Sequence, residues 1–170
     1  GLAHYLAKNQ VRYGDKKALT IVHRLTEAFQ YYLLKASVNL AKEKGACDNF
    51  HRTKYADGIL PIDTYKKEVD EICNIKLQYD WEALRDEVKA HGLRHSTLSA
   101  QMPSESSSIV SNATNGIEPP RSLVSVKQSK HGVLKQVVPG IHKLKNKYEL
   151  LWDQRSPEGY LRLWQYCKNM

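Results

Sequence analysis

Apolar residues recur at three- and four-residue spacing over two early segments of the chain, residues 2–12 and 20–44. This spacing is that of an amphipathic α-helix, so both segments are predicted to be helical. Gly45 follows the second segment directly, and glycine is a frequent residue just beyond the end of a helix. The first part of the chain is therefore predicted to be helical, with apolar faces that need a packing partner.

Aspartate and proline predict where later helices begin, because an Asp side chain caps the amide groups of a first turn and Pro fits an early helical position. Asp80 precedes one such segment, and Gly92 is placed to end it. The further helices predicted are 63–72, 81–91, 142–153 and 157–168.

Strand-like patterns occupy two places. Residues 93–101 leave a helix and enter a turn, which predicts a buried parallel strand of an α/β unit. Later, Leu123–Lys127 and Val133–Val138 are β-branched runs on either side of a short polar turn, and they predict a hairpin. Ligands of α/β units bind beyond the carboxyl end of a strand, which here is the segment 103–108.

That segment is rich in hydroxyl groups. Pro103 can start a helix, and Ser104, Ser106, Ser107 and Ser108 would crowd its first turn, where backbone N–H groups lack intrahelical partners. Such a turn attracts an anion, so we expect these groups to converge on one phosphate-sized spot. A solvated serine-rich linker is the alternative, and the apolar residues on both sides of the turn favour the phosphate site.

Charge and composition narrow the classes of partner. The 170 residues carry a formal net charge of +8, which favours a nucleotide, a nucleic-acid backbone or an acidic protein. The lysines are dispersed and accompany no helix-turn-helix or zinc-finger spacing, so we do not expect a nucleic-acid partner. No apolar run approaches the roughly 20 residues of a membrane span, and no secretory leader is present, which favours a soluble intracellular protein.

The three cysteines, Cys47, Cys73 and Cys167, have no metal-ligand spacing. Their odd number also disfavours a disulfide framework. We expect reduced, structural thiols and no metal site.

Several motifs together resemble a known family. Trp81, Leu84, Gly92-Leu93-Arg94-His95, Ser99-Ala100 and Pro103 resemble, at matching spacing, the signature of the large catalytic subunit of ribonucleotide reductase. The runs 103–108 and 111–121 are similar to the aerobic, diphosphate-using class of bacteria and their phages. The similarity extends from about Tyr5 to Leu163 and includes 31–37 and 58–67.

The resemblance implies an α/β fold, the barrel of two half-barrels found in that family. Residues 1–170 would be a C-terminal, helix-rich portion of this barrel, with one half-barrel strand, the phosphate-binding turn, flanking helices and a β-hairpin. Such a portion is incomplete, and we do not expect it to be an autonomous domain.

The resemblance also implies a substrate-binding turn. By their positions in the family motif, the residues that line the substrate diphosphate are Pro103, Ser104, Glu105, Ser106 and Ser107. Ser106 stands where threonine is common and keeps the hydroxyl. Two roles for Glu105 stay open: favourable placement near the positive end of a helix, or hydrogen bonding toward the ribose with proton handling. None of the cysteine contexts resembles the radical-carrying or redox cysteines, so no catalytic residue is assigned.

The activity implied is the reduction of ribonucleoside diphosphates to deoxyribonucleoside diphosphates by thiyl-radical chemistry, for DNA synthesis. The implied partners are the rest of the large subunit, a second copy of it, and a metal-containing small subunit that supplies the radical. Nucleoside triphosphates such as ATP would act as allosteric effectors, and the location would be the cytoplasm. We expect no cofactor in this segment and no activity from it alone. The alternative is a non-catalytic nucleotide- or nucleic-acid-binding remnant of a split or truncated gene.

Overall fold

The computed structural model describes residues 1–72, 74–130 and 132–169. These residues form two compact units: the first unit is Gly1–Leu19 with Met102–Trp164, and the second unit is Thr20–Gln101 with Gln165–Met170. The helices are α1 Leu2–Lys8, α2 Lys16–Lys44, α3 Val69–Ile72, α4 Trp81–His91, α5 Glu105–Val110, α6 Ile141–Leu144 and α7 Glu158–Asn169. The strands are β1 Val124–Ser129 and β2 Gly132–Val137, and 3-10 turns occupy Phe50–Arg52, Pro61–Asp63, Lys145–Lys147 and Leu151–Asp153.

The core of the second unit joins α2 to α4. Its buried members are Leu34, Val38, Leu60, Trp81, Leu84, Val88 and Leu93. The apolar residues of α2 and α4 recur at helical spacing, so each helix buries one stripe and leaves the rest to solvent. The predicted helix 20–44 is confirmed, with its start four residues earlier and its end before Gly45, whose φ is +80°.

Both ends of α4 form as the sequence predicts. The Asp80 carboxylate accepts a hydrogen bond from the backbone N–H of Ala83 at 2.9 Å. At the other end Gly92 has a φ of +72°, and a Cβ built on it would lie 2.6 Å from the Cβ of Ala46. Glycine is therefore required at position 92 by both backbone conformation and space.

The predicted helix 63–72 is wrong in its first part: a 3-10 turn ends at Asp63, and the helix α3 covers only Val69–Ile72. The carboxylate of Asp63 accepts the backbone N–H of Leu60 at 2.7 Å and forms a salt bridge with Arg85. It is thus used in the turn that ends at Asp63 and is not available to cap the residues that follow.

The predicted strand 93–101 is also wrong. The structure has no strand there, and all of residues 94–101 except the half-buried Leu98 are exposed. Within the described residues the sheet consists of β1 and β2. The backbone of this segment makes isolated hydrogen bonds at its start: the Leu93 carbonyl accepts the Cys47 N–H at 2.9 Å, and the Arg94 N–H donates to the Ser37 carbonyl at 3.2 Å. A strand needs a neighbouring strand along its length, and the described residues provide none for 93–101.

The first unit contains the predicted hairpin. β1 and β2 pair antiparallel, with Val124 opposite Val137 and Ser129 opposite Gly132. The prediction is confirmed to within one or two residues at each end. Because side chains alternate along a strand, Val124, Val126, Val133 and Val137 share one face, and each is at least 43% exposed.

Two predicted helices of the first unit are shorter than expected. α1 ends at Lys8 because Gln10 adopts a φ of +54°, outside the helical region. The predicted helix 142–153 breaks into α6 and two 3-10 turns. The Leu151 N–H donates to the carbonyl of Pro120 at 2.9 Å, so at this residue a bond to a distant residue replaces the helical one. The Tyr148 hydroxyl donates to the carbonyl of Pro139 at 2.7 Å.

The predicted helix 157–168 is confirmed as α7, which follows Pro157. At its start the backbone of Gly159 lies directly against that of Gly14, because a Cβ built on Gly159 would lie 2.6 Å from the Gly14 Cα.

Cys47 is a half-buried free thiol, whereas Cys73 and the side chain of Cys167 lie outside what is described. The described residues include no group of three or more His, Cys, Asp or Glu side chains arranged to hold a metal ion. In the described part of the chain, no helix is both long enough and apolar enough to cross a membrane.

Candidate functional site

The serine-rich segment begins α5 in the first unit. Ser104 is the N-cap, with φ −108° and ψ 39°, and its carbonyl accepts the first helical hydrogen bond from the N–H of Ser108 at 2.8 Å. The sequence predicted a helix that starts at Pro103, which is wrong by two residues, since the exposed Pro103 precedes the cap. The backbone N–H groups of Ser106 and Ser107 lie in the first turn, where no intrahelical acceptor exists.

The Ser104 side chain does not cap the helix. Its hydroxyl donates to Oδ1 of Asn115 at 3.1 Å and accepts the backbone N–H of Gly116 at 2.9 Å. The side chain therefore ties the start of α5 to a loop eleven and twelve residues further along.

That loop is itself held in place. The Gly116 carbonyl accepts the backbone N–H of Leu2 at 3.2 Å. The hydroxyl of the buried Thr114 accepts the backbone N–H of His4 at 3.2 Å, and the Tyr13 hydroxyl donates to the Ile117 carbonyl at 2.9 Å. Residues 114–117 are thus fixed by α1 and by the segment that follows it.

The other three serines divide into two groups. Ser108 is buried, at 4% exposed, and its hydroxyl donates to the carbonyl of Glu105 at 2.9 Å. Ser106 and Ser107 are exposed, and the Ser107 hydroxyl makes a long 3.3 Å bond to the carbonyl of Ser104. The prediction that four hydroxyls converge on one spot is therefore wrong, because Ser104 and Ser108 already serve protein groups. The exposed pair and its two backbone N–H groups are what the turn offers to an anion.

Glu105 is exposed and lines a cavity of about 330 Å³ within the first unit. Asn115, Glu118 and Arg121 line the same cavity, and the base of the hairpin and Pro139 form another wall. A carboxylate in the first turn of a helix interacts favourably with the helix dipole, by roughly 0.3–1 kcal/mol. The lining includes carboxylate, amide and guanidinium groups beside apolar prolines and valines, so polar groups of both charges line only part of the cavity.

The wall at Pro139 is fixed by Tyr148. The Tyr148 side chain is 8% exposed, and burial raises its pKa to about 12. The hydroxyl therefore stays protonated at physiological pH and keeps its hydrogen bond to the Pro139 carbonyl.

Tyr13, Thr114 and Gly116 were not predicted from the sequence to belong to this region. An Asn-Gly pair such as that at 115–116 is typical of a turn. The contact between this turn and Ser104 is a hydrogen bond between residues that are not neighbours in the sequence. No local sequence pattern predicts such a contact.

Comparison with known proteins identifies the family. A sequence model of the family described as "Ribonucleotide reductase, barrel domain" matches residues 1–158, so the chain belongs to this family. The chain is 63% identical over 161 residues to the ribonucleoside-diphosphate reductase subunit alpha of Haemophilus influenzae, covering 95% of this chain and 21% of that protein.

More distant relatives are similar over almost the same part of the chain. It is 62% identical over 161 residues to ribonucleoside-diphosphate reductase 1 subunit alpha of Escherichia coli, covering 95% of this chain and 21% of the relative. It is 51% identical over 150 residues to the ribonucleoside-diphosphate reductase subunit alpha of Enterobacteria phage T4, covering 88% of this chain and 20% of the relative. The resemblance noted in the sequence is confirmed, and the chain spans about a fifth of the length of these relatives.

Proposed function

We propose that this chain is a segment of the large subunit of a ribonucleoside-diphosphate reductase and supplies the turn that binds the substrate diphosphate. The observation that carries the proposal is the start of α5, where the exposed Ser106 and Ser107 lie in a first turn whose backbone N–H groups lack intrahelical acceptors. Hydroxyl and amide donors at such a turn suit a phosphate. The curated relatives are named for the reduction of ribonucleoside diphosphates.

The five residues assigned to the site have different roles in this proposal. Ser106 and Ser107 donate hydrogen bonds to phosphate oxygens. Pro103 precedes the cap and limits the backbone conformations open to the chain as it enters the turn. Glu105 faces the polar cavity, and its two possible roles, dipole stabilisation and contact with the ribose, stay open. The hydroxyl of Ser104 holds the turn to the loop at 115–116.

The size of these interactions argues that the segment acts within a larger subunit. Two or three charge-assisted hydrogen bonds at roughly 1.5 kcal/mol each give about 3–4.5 kcal/mol, which corresponds to millimolar affinity at best. Contacts to the base and ribose, and the radical-carrying cysteine, belong in this proposal to the rest of the large subunit. The complete enzyme would take its radical from a metal-containing small subunit, respond to nucleoside triphosphate effectors, and work in the cytoplasm as a homodimer of large subunits.

The test replaces both exposed serines with alanine in a complete large subunit that carries this segment. Each lost hydrogen bond to a charged group costs roughly 1.5–3 kcal/mol, so the Kd for diphosphate substrate should rise at least about tenfold. Effector binding should stay the same. Ser111→Ala is the matched control, because this hydroxyl bonds to helix carbonyls at the other end of α5.

Equal substrate affinity in the wild type and the double variant would refute the phosphate turn. If the isolated segment then bound DNA or RNA with an affinity that fell steeply with salt, a nucleic-acid-binding remnant would replace the proposal.

A further inference from the structure

The Ser104 hydroxyl has one proton, and in the structure that proton is donated to Oδ1 of Asn115 at 3.1 Å. Its oxygen at the same time accepts the Gly116 N–H at 2.9 Å. A phosphate oxygen accepts hydrogen bonds and has no proton to give when fully ionised. The hydroxyl of Ser104 cannot donate to a phosphate unless it first gives up Asn115.

The backbone of one residue, Gly116, bonds both to Ser104 and to α1. Gly116 donates its N–H to Ser104 and accepts the N–H of Leu2 on its carbonyl at 3.2 Å. On either side, Thr114 and Ile117 accept hydrogen bonds from His4 and Tyr13. The start of α5 is therefore fixed to a loop that is also bonded to α1 and to Tyr13.

The backbone of Ser104 sets the direction of the amide groups that follow it. Its φ of −108° and ψ of 39° are not helical, and the bonds to Asn115 and Gly116 hold it there. The direction of the Ser106 and Ser107 N–H groups therefore depends on the backbone conformation of Ser104. A shift of these donors away from the phosphate oxygens would weaken the hydrogen bonds that bind the substrate.

We propose that Ser104 and Asn115 form a positioning pair for the substrate-diphosphate turn, and that Ser104 acts through Asn115 and Gly116 and not as a phosphate ligand. This inference rests on the proposed function. It means that Asn115 affects substrate affinity although it does not itself bind the phosphate.

The experiment uses the complete large subunit with its small subunit, and four variants: Ser104→Ala, Ser104→Thr, Asn115→Ala and the double alanine. Loss of one ordinary hydrogen bond changes an equilibrium by about two- to tenfold. We expect the KM for diphosphate substrate to rise about tenfold in Ser104→Ala and about threefold in Asn115→Ala, with kcat retained. Ser104→Thr keeps the hydroxyl and should restore the wild-type KM.

The variant that combines Ser104→Ala with Asn115→Ala shows whether the effects of the two substitutions depend on each other. Because Asn115 acts through the Ser104 hydroxyl, its removal should change nothing further once Ser104 is alanine, so the double variant should match Ser104→Ala alone. Inhibition by inorganic pyrophosphate should weaken in parallel with KM, whereas effector affinity should not move. Ser111→Ala again serves as the control, and all these values should equal the wild type.

The outcomes separate this inference from the proposed function. If the Ser106/Ser107 double alanine variant leaves substrate affinity unchanged, the proposed function fails. If that variant weakens binding while Asn115→Ala has no effect on KM or pyrophosphate inhibition, the positioning pair fails. A double variant with strictly multiplied effects, or a general loss of effector binding and kcat, would also overturn the pair.

Discussion

The indole nitrogen of Trp81 donates a hydrogen bond to Oε1 of Glu27 at 3.2 Å, and both side chains are buried, at 4% and 0% exposed. The same oxygen accepts the backbone N–H groups of Gln78 at 2.6 Å and Tyr79 at 3.2 Å. One carboxylate of α2 therefore holds the entry to α4 through several donors.

Glu27→Ala should loosen the entry to α4, because it leaves the buried indole N–H of Trp81 and the partly buried N–H groups of Gln78 and Tyr79 without their acceptor. A buried donor without an acceptor costs about 1–3 kcal/mol, so amides in 78–91 should exchange hydrogen about ten- to a hundredfold faster in the complete subunit. Glu27→Gln keeps one oxygen for the same donors and should have a much smaller effect. Equal exchange in both variants would show that the carboxylate does not hold this segment.

Glu87 should make the packing of α4 on α2 dependent on pH. Hydrogen bonds from Lys35 and then Lys42 lower the pKa of the Glu87 carboxyl to about 2. A carboxyl whose pKa is lower in the folded state than in the unfolded state stabilises the fold. This contribution is complete above the pKa of the unfolded state, about 4.3, and it is lost as the pH falls toward 2.

We therefore expect Glu87→Gln to speed exchange of α4 amides about two- to tenfold at pH 7, since these side chains are partly exposed. The ratio of the exchange rate in the variant to that in the wild type should be smaller at pH 3.5 than at pH 7. Asp86→Asn, an exposed neighbour on the same helix, is the control and should give a ratio near one at both pH values. If the ratio of exchange rates for Glu87→Gln did not change with pH, ionisation of Glu87 would not contribute to the packing of α4 on α2.

Gly92→Ala should disrupt the end of α4 more than Gly45→Ala disrupts the end of α2. Both glycines have positive φ, +72° and +80°, but only at position 92 does a Cβ meet another atom, Ala46 Cβ at 2.6 Å. Backbone strain alone costs on the order of 1–3 kcal/mol, and the steric clash adds to it. Yield of folded subunit and exchange at 88–93 would measure the difference, and equal effects would mean that the neighbouring residues adjust without cost.

The chain expressed alone should aggregate or adopt a loosely packed state. In the second unit, Phe29 is 62% exposed beside an open groove of about 550 Å³ that is lined by residues 96–101. Exposed apolar surface and backbone without a strand partner favour association. Size-exclusion chromatography and thermal unfolding would test this. A monomer with cooperative unfolding at high temperature would instead show an autonomous domain.

The elements that the sequence predicted correctly depend on local signals. α2, α4 and α7 have a helical repeat, with Gly45, Asp80 and Pro157 at their ends, and the hairpin has two β-branched runs about a short turn. These patterns act between residues close in the chain, so no knowledge of distant contacts was needed.

The errors come from contacts between distant residues. Among the described residues no strand pairs with the segment 93–101, and within the helix expected at 142–153 the Leu151 N–H bonds to the Pro120 carbonyl. At the candidate site the helix expected at the serine run is present as α5, but the Ser104 hydroxyl bonds to Asn115 and Gly116 and does not converge with the other serine hydroxyls. Periodicity contains no information about such pairs.

The contact between Gly14 and Gly159 has a consequence for how genes of this kind can vary. A side-chain carbon at position 159 would lie 2.6 Å from the Cα of Gly14, closer than two such atoms can approach. Glycine is the one residue without that carbon, so every missense change in its codon adds the atom that does not fit. No single-nucleotide substitution that places another amino acid at 159 can therefore be accommodated without moving the first turn of α7 or the backbone at Gly14, and only silent changes at this codon leave the contact intact.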